Sequence, residues 1–207
     1  PPVLKGTNVK AGTTFVQPIL SYLQSREQRR NPVPEERNYP YFLKLFAQYI
    51  EPVAETYAYC LLSNHFHFLV RIKDGDQDRQ SSEDCRSLDA SHAFANLFGT
   101  YTKAFNKAYQ RTGSLFEKPF RRILVDRDRY FAYLAVYIHR NPQKHGYVDD
   151  YRNWPYSSYR ATLSSKTTRI QREAVLDWFD SRASFERSHS SSINESVIEP
   201  LIVDDFM

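Results

Sequence analysis

Eight residues in the first half of the chain, HFHFLVRI at positions 65–72, constrain the fold more than any other segment. Side chains alternate between the two faces of a β-strand, so His65 and His67 share one face. The other face carries apolar side chains: Phe66, Phe68, Val70 and Ile72. Such a strand is suited to covering a core with one face and binding a divalent metal ion with the other. The alternative is a pair of polar residues on a solvated strand face.

Two imidazoles do not complete a metal site, so a third protein ligand and a substrate oxygen are needed. A later helical segment offers candidates, because Tyr130, Tyr133, Tyr137 and Asn141 fall on one stripe. Tyr137 and Asn141 are neighbours one turn apart, and the Asn141 amide oxygen can supply the missing ligand. The alternative for any of the 15 tyrosines is a packing role.

A tyrosine hydroxyl is a nucleophile when its proton is removed or when an electrophile is held against it. An unperturbed phenol has a pKa of about 10, so a nearby cation is needed at neutral pH. A phosphodiester is the electrophile that fits this combination, because a metal ion withdraws charge from a phosphate oxygen. Attack by tyrosine gives a phosphotyrosine ester, from which the strand can be rejoined.

Composition is compatible with a DNA partner without requiring one. The chain has 207 residues, a net charge of +4 and 41% hydrophobic residues. Aromatic residues make up 15%, and aromatic rings build cores but also stack on unpaired bases. Two cysteines are too few for a disulfide framework or a thiolate zinc site, which favours a reducing cytosol. No apolar run is long enough for a membrane span, and no basic-then-apolar leader is visible.

The pattern of apolar residues predicts an α+β domain with helices on an antiparallel sheet. Helices are predicted at residues 39–50, 94–108, 126–140 and 172–179, the third capped by Asp126 and ended by Asn141 and Pro142. Strands are predicted at 13–16, 56–62, 65–72 and 122–125, and a helical turn at 19–23. Residues 25–34 and 154–159 are predicted as loops, 73–89 as a long mobile loop and 188–192 as flexible.

Four segments together resemble a known family. LLSNHFHFLV at 61–70 is similar to the His-hydrophobic-His (HUH) motif of the IS200-like single-tyrosine transposases, and VYIHRNPQKHGYV at 136–148 resembles their tyrosine helix and following loop. GSLF at 113–116 and WPYSSY at 154–159 are similar to further family segments, in the same order. Members associated with repetitive extragenic palindromes (REP) are the nearest in pattern, and the resemblance covers roughly residues 35–160.

This resemblance implies a ferredoxin-like domain that nicks single-stranded DNA through a 5′-phosphotyrosine intermediate. The family's metal-binding histidines correspond to His65 and His67, its nucleophile to Tyr137, and its helical polar ligand to Asn141. The implied metal is Mg²⁺ or Mn²⁺, although two imidazoles would also accept Zn²⁺. The implied partner is single-stranded or hairpin DNA in the cytoplasm, at the nucleoid. Residues 1–34 and a C-terminal helical extension at 161–207 then flank the nuclease domain.

Two features depart from the family pattern. The motif that usually opens the family's first strand is absent from residues 1–34, and Ser63 stands where proline is common. Relatives include dimers that exchange their tyrosine helices as well as monomers, so both monomer and homodimer remain open for this chain.

Basic and aromatic residues predict a DNA-binding surface around the segment 113–122. Cations neutralise phosphates, and an aromatic ring can stack on an unpaired base. The predicted contacts are Lys103, Lys107, Phe116, Lys118, Arg121, Arg122 and Lys144, with His145 near the scissile strand. The alternative is that the aromatic rings of this segment are core and its cations a solvated face.

Three functions are therefore compared. The first is a DNA strand-transfer nuclease that uses Tyr137 and a metal ion. The second is a domesticated relative that binds hairpin or single-stranded DNA without cutting it. The third is a metal hydrolase for a small phosphorylated molecule, which ranks last because no general base is evident beside the histidine pair.

Overall fold

A computed structural model describes residues 15–21, 35–73, 83–116, 121–125, 129–191 and 197 of the chain. These residues form the expected α+β fold, with a four-stranded antiparallel sheet and helices on both of its faces. The sections that follow refer to this part of the chain.

The sheet contains β1 (Phe15–Ser21), β2 (Ala54–Leu61), β3 (His65–Ile72) and β4 (Arg121–Val125). The strand order is β2-β3-β1-β4, so the histidine strand β3 lies inside the sheet, between β2 and β1. Because β3 directly follows β2 through a short turn and pairs with it antiparallel, the two predicted strands form a hairpin.

Three longer helices surround the sheet: α1 (Asn38–Tyr49), α2 (Glu83–Ala108) and α3 (Arg129–Lys144). The succession from β1 to β4 is therefore strand, helix, strand, strand, helix, strand, which is the order of a ferredoxin-like arrangement. After α3 come a short 3₁₀ helix (Tyr151–Asn153), α4 (Tyr159–Leu163), α5 (Arg172–Asp177) and α6 (Arg182–Ser190).

Each face of the sheet covers its own hydrophobic core. One core joins α1 and α2 to the apolar face of β3, through Phe42, Phe46, Phe68, Leu97 and Tyr101. The other core joins α3, α5 and α6 to the opposite face, through Leu69, Leu134, Ile138, Val175 and Phe185. The alternation along β3 thus places His65 and His67 on the side of α3.

The predictions for the first strand and the second helix need correction. Residues 19–21 belong to β1 and not to a helical turn, and α2 begins at Glu83, so residues 83–89 are not a loop. Polar residues preceding Phe94 carry no apolar periodicity, and this pattern is the main sequence signal for a helix. Acidic residues at a helix N-terminus are nevertheless favourable, because they complement the helix dipole. The loop predicted at 25–34 and residues 74–82 of the loop predicted at 73–89 lie outside the described residues.

The third helix does not end at Asn141 and Pro142 as predicted, but continues to Lys144. Proline lacks the N–H that would bond the carbonyl four residues earlier, but so near the helix end only one such bond is lost. The true end is marked by Gly146, whose φ of 71° is left-handed, and by a bond from Tyr147 N–H to the Pro142 carbonyl oxygen (2.8 Å). The predicted cap, Asp126, lies outside the described residues.

The C-terminal region is more helical than predicted. Helix α5 confirms the expected helix at 172–179 with a shorter extent, whereas α6 was not predicted and includes residues 188–190 of the supposed flexible stretch. Ser181 caps α6, because its hydroxyl accepts a bond from Ser184 N–H (3.2 Å). Within the part of the chain described here, no helix is both long and apolar enough to cross a membrane.

Candidate functional site

The two histidines of β3 lie side by side under α3. His65 is 5% exposed and His67 is fully buried. Their ring centroids are 5.1 Å apart, and the ring planes are nearly perpendicular. This placement follows from the two-residue period of the strand, which directs both imidazoles to one face.

Helix α3 brings Tyr137 and Asn141 to the same place. The Tyr137 ring contacts His67 edge-on, with ring centroids 5.6 Å apart, and the Asn141 Oδ1 atom lies 3.5 Å from His65 Nε2. Both helix residues are buried, Tyr137 to 1% exposure. The four residues singled out in the sequence therefore meet in one cluster, although their chemical roles stay predictions.

The hydrogen bonds around His65 direct electron-rich atoms toward each other. His65 Nδ1 lies 2.9 Å from Asn64 Oδ1, and because an amide oxygen only accepts, a neutral ring carries its proton on Nδ1. Asn141 Nδ2 donates to the Tyr137 carbonyl oxygen (3.0 Å), which turns Oδ1 toward His65. The Nε2 lone pair and the Oδ1 atom thus face one another, an arrangement that a cation between them would stabilise.

The spacing of one donor pair is compatible with a divalent ion, and the two imidazoles suit Zn²⁺ as well as Mg²⁺ or Mn²⁺. Two neighbouring ligands of an octahedral Mg²⁺ with bonds of 2.0–2.1 Å are roughly 3 Å apart, close to the 3.5 Å between His65 Nε2 and Asn141 Oδ1. Among the residues that the structure describes, no three His, Cys, Asp or Glu side chains are grouped so that they could hold a metal ion. An ion here would therefore depend on the Asn141 amide and on substrate oxygens as well as the imidazoles.

Two residues at the end of α3 extend the cluster. The ammonium nitrogen of Lys144 lies 4.8 Å from the centre of the Tyr137 ring, which supplies a cation beside the predicted nucleophile. The His145 ring centroid is 4.8 Å from that of His65. The expected nearness of these two residues to the site is therefore seen.

The rest of the predicted DNA-binding surface is only partly described. Lys103 and Lys107 are exposed on α2, whereas the half-buried Phe116 packs against Phe98 and Phe66. Lys118 lies outside the described residues, and of Arg121 and Arg122 only the backbone, in β4, is described.

The sequence did not indicate the residues that hold His65 in place. The Tyr147 hydroxyl donates to Asn64 Oδ1 (2.8 Å), and Ser63 Oγ lies 2.6 Å from the same hydroxyl. Because Tyr147 donates to Asn64, the Ser63 hydroxyl donates to Tyr147. Ser63 and Asn64 lie between the two predicted strands, and their polar side chains beside the histidine strand are the available sequence signal.

No family model matches the chain. It is 30% identical over 114 residues to a Haemophilus influenzae protein provisionally named a REP-associated tyrosine transposase. The matched region covers 54% of this chain and 62% of that relative, so the chain spans less than two thirds of it. The resemblance seen in the sequence motifs is thereby confirmed.

A solved structure of a REP-associated tyrosine transposase bound to a REP hairpin is also similar. It covers 78% of this chain and 90% of its own, with 16% sequence identity and a TM-score of 0.49.

Proposed function

We propose that this chain belongs to the REP-associated tyrosine transposases, and that it cuts and rejoins single-stranded DNA through Tyr137. The 30% identity to the Haemophilus influenzae relative supports the family, and the meeting of Tyr137, His65, His67 and Asn141 in one cluster supports the chemistry. That meeting is the observation that carries the proposal. The substrate would be a single strand or the foot of a DNA hairpin, bound in the cytoplasm at the nucleoid.

In the proposed reaction, the Tyr137 hydroxyl oxygen attacks the phosphorus of a phosphodiester. A bond forms between phosphorus and the tyrosine oxygen while the bond to the 3′ oxygen breaks, and the leaving oxygen takes up a proton to become a 3′ hydroxyl. The phenol proton passes to solvent. Attack of a 3′ hydroxyl on the phosphotyrosine reverses the step and rejoins the strand.

Mg²⁺ or Mn²⁺ held by His65, His67 and Asn141 would draw charge from the phosphate and orient it for attack. The protein's own groups contribute positioning: Asn64 fixes the His65 ring, and Asn141 is anchored to the Tyr137 carbonyl. Lys144 lies over the Tyr137 ring, where its charge both attracts phosphate and favours the ionised phenol.

The experiment is a cleavage assay on single-stranded oligonucleotides drawn from the DNA that flanks the gene. We expect a protein–DNA adduct that survives denaturation, formed with Mg²⁺ or Mn²⁺ and lost with a chelator. Tyr137→Phe should abolish the adduct while leaving DNA binding intact. Tyr133→Phe is the matched control, because Tyr133 lies one turn earlier on α3, and it should form the adduct normally. An adduct that persists in Tyr137→Phe would exclude Tyr137 as the nucleophile.

One observation favours the second function, in which the protein binds DNA without cutting it. Tyr137 is only 1% exposed, so a strand can reach its hydroxyl only after neighbouring groups move. The two functions are distinguished by the same assay. Tight binding of hairpin or single-stranded oligonucleotides, with no adduct under any of the three metals Mg²⁺, Mn²⁺ and Zn²⁺, would favour the binding protein.

A further inference from the structure

The segment that follows α3 reverses direction and returns Tyr147 to the turn between β2 and β3. Gly146 permits the reversal, because its φ of 71° lies in the left-handed region. The Tyr147 ring packs against the Trp154 indole, with ring centroids 5.6 Å apart. The indole N–H of Trp154 in turn donates to the Leu61 carbonyl oxygen at the end of β2 (2.9 Å). Backbone and packing therefore set where the Tyr147 hydroxyl lies.

That hydroxyl bonds both polar residues of the turn. It donates to Asn64 Oδ1 (2.8 Å) and accepts from the Ser63 hydroxyl (2.6 Å). Asn64 Oδ1 also lies 2.9 Å from His65 Nδ1, which donates to it. An amide oxygen has two lone pairs, so these two donors use its full capacity. Hydrogen bonds thus run without a break from Ser63 to the imidazole that faces Asn141.

Asn64 depends on Tyr147 because it lies at the surface. Asn64 is exposed, so water competes for its amide and several rotamers are open to it. The hydroxyl of the half-buried Tyr147 restricts the amide to the orientation that accepts from His65. Without that restriction, the His65 proton is no longer confined to Nδ1. A proton on Nε2 would prevent that nitrogen from binding a metal ion.

Tyr147 also joins the two elements that carry the proposed ligands. His65 lies on β3 and Asn141 on α3, with Nε2 and Oδ1 3.5 Å apart. The Tyr147 N–H donates to the carbonyl oxygen of Pro142, the residue after Asn141 (2.8 Å). Its hydroxyl donates to Asn64, the residue before His65. One side chain and its own backbone thus hold the end of the helix to the start of the strand.

We propose that Tyr147 is a positioning residue for the metal site, and that it acts on His65 through Asn64. The inference rests on the proposed function, because the ion serves that reaction. It gives Tyr147 a role that neither the sequence motifs nor the relative assigns. Proline, which is common at position 63 in the family, has no hydroxyl, so the bond from Ser63 is a feature of this sequence.

The first test measures the Mn²⁺ affinity of the full chain by calorimetric titration. Tyr147→Phe removes the hydroxyl and keeps the ring. Loss of a group that supports a metal ligand typically costs roughly 10–100-fold in affinity, and we expect about tenfold because Tyr147 acts through a second residue. Tyr49→Phe is the matched control. Its hydroxyl bonds the Thr100 hydroxyl (3.1 Å) between α1 and α2, and its loss should leave the Mn²⁺ Kd unchanged.

A double variant tests the route through Asn64. In an Asn64→Ala background the amide is absent, so Tyr147→Phe should cause no further loss of Mn²⁺ affinity. Losses that multiply in the double variant would overturn the proposal, because Tyr147 would then act independently of Asn64. Ser63→Ala leaves the bond from Tyr147 to Asn64 in place and should weaken Mn²⁺ binding less than Tyr147→Phe does. A larger effect of Ser63→Ala would also overturn it.

A third measurement uses the metal-free protein, and a general loss of stability would not reproduce its expected result. Side-chain ¹⁵N NMR distinguishes the protonated from the unprotonated nitrogen of a neutral imidazole, at about pH 8. In the wild type we expect the His65 proton on Nδ1. In Tyr147→Phe a fraction should move to Nε2, and in Tyr49→Phe none. A proton that stays on Nδ1 in Tyr147→Phe would contradict the proposed role.

The adduct assay separates this inference from the proposed function. At saturating Mn²⁺, Tyr147→Phe should form the Tyr137 adduct at the wild-type rate, because a positioning residue affects ion binding and not the reaction. A rate that stays low at saturation would overturn the positioning role. If the adduct forms but Tyr147→Phe changes neither the Mn²⁺ Kd nor the His65 proton, that role fails alone. If the wild type binds no Mn²⁺ and forms no adduct, the proposed function fails and the positioning role fails with it.

Discussion

His139 on α3 and His189 on α6 form a buried hydrogen bond, with His139 Nδ1 2.9 Å from His189 Nε2. The proton positions follow from the outer partners. His189 Nδ1 lies 2.8 Å from the Phe185 carbonyl oxygen and must donate to it, so its Nε2 accepts. His139 therefore donates through Nδ1, and its Nε2 accepts from the Ser158 hydroxyl (2.7 Å). Both neutral imidazoles are fully satisfied, and they join α6 to the helix that carries Tyr137.

We predict that this pair makes the fold sensitive to acid. Burial, together with His189, holds the pKa of His139 well below its ordinary value, and burial lowers the pKa of His189 to about 3. An unfolded histidine has a pKa of about 6.5, so below that pH the unfolded chain binds protons that the folded chain does not. The free energy of unfolding should therefore fall as pH drops from about 6.5, by up to about 1.4 kcal/mol per pH unit for each histidine.

Urea unfolding at a series of pH values measures this slope. His189→Gln keeps a side chain that can accept from His139 but does not titrate, so we expect a shallower decline with acid. His92→Gln, at an exposed histidine of α2, should decline as the wild type does. An unchanged slope in His189→Gln would contradict the prediction.

The N-cap of α6, Ser181, leads to a prediction about the stability of the protein and not about its activity. Ser181→Ala removes the hydroxyl that accepts from Ser184 N–H, and loss of such a cap typically costs about 1 kcal/mol. Ser190→Ala is the control, because the exposed Ser190 hydroxyl only donates to the Glu186 carbonyl oxygen near the end of the same helix. Chemical denaturation should show a loss in the first variant and a change within about 0.5 kcal/mol in the second. Equal losses would show that the cap is not what stabilises α6.

The sequence predicted those parts of the fold whose signal is local and periodic. The strand His65–Ile72 has the predicted bounds, and α1 begins and ends within one residue of its prediction, because alternation and helical spacing are read directly from apolar residues. The polar start of α2 and the short helix α6 were missed. In α6 the only apolar anchor is Phe185, and its partner one turn later is His189, which a hydrophobic pattern does not count.

In the candidate site, too, some residues could be predicted from the sequence and others could not. His65, His67, Tyr137 and Asn141 could be named because strand and helix periods place them on defined faces and because a family pattern joins them. The hydrogen bonds that hold the His65 ring could not, since Tyr147 is distant in the sequence from the histidine strand. Only the packing of α3 against the sheet brings the Tyr147 hydroxyl to Asn64 and Ser63.

The hydrogen bond between Asn64 and His65 leads to a prediction about metal binding. Asn64→Ala removes the acceptor that keeps the His65 proton on Nδ1. The proton can then move to Nε2, and a protonated Nε2 cannot bind a metal ion. Loss of such a supporting group typically lowers metal affinity 10–100-fold. Calorimetric titration with Mn²⁺ should show this loss, and Asn153→Ala, at an exposed asparagine far along the chain, should not. Equal Mn²⁺ affinity in wild type and Asn64→Ala would refute a role for this bond.

Lys144 gives a prediction about the nucleophile itself. Its ammonium lies 4.8 Å from the centre of the Tyr137 ring, and a nearby cation favours the ionised form of a phenol. Lys144→Met should therefore move the pH dependence of adduct formation to higher pH and slow the reaction at neutral pH. The Tyr137 ring is only 1% exposed, and a cation beside a desolvated ring contributes about 2 kcal/mol, so the expected slowing is up to about thirtyfold.

Two further variants identify the cause of that slowing. Lys144→Arg keeps the charge and should retain most of the rate, whereas Lys166→Met removes an equal charge from an exposed position outside the cluster and should leave the pH profile unchanged. The rate of adduct formation is measured under single-turnover conditions with saturating DNA, so that weaker binding does not contribute. A uniform decrease at every pH in Lys144→Met, with no displacement of the profile, would assign Lys144 to holding the phosphate and not to activating Tyr137.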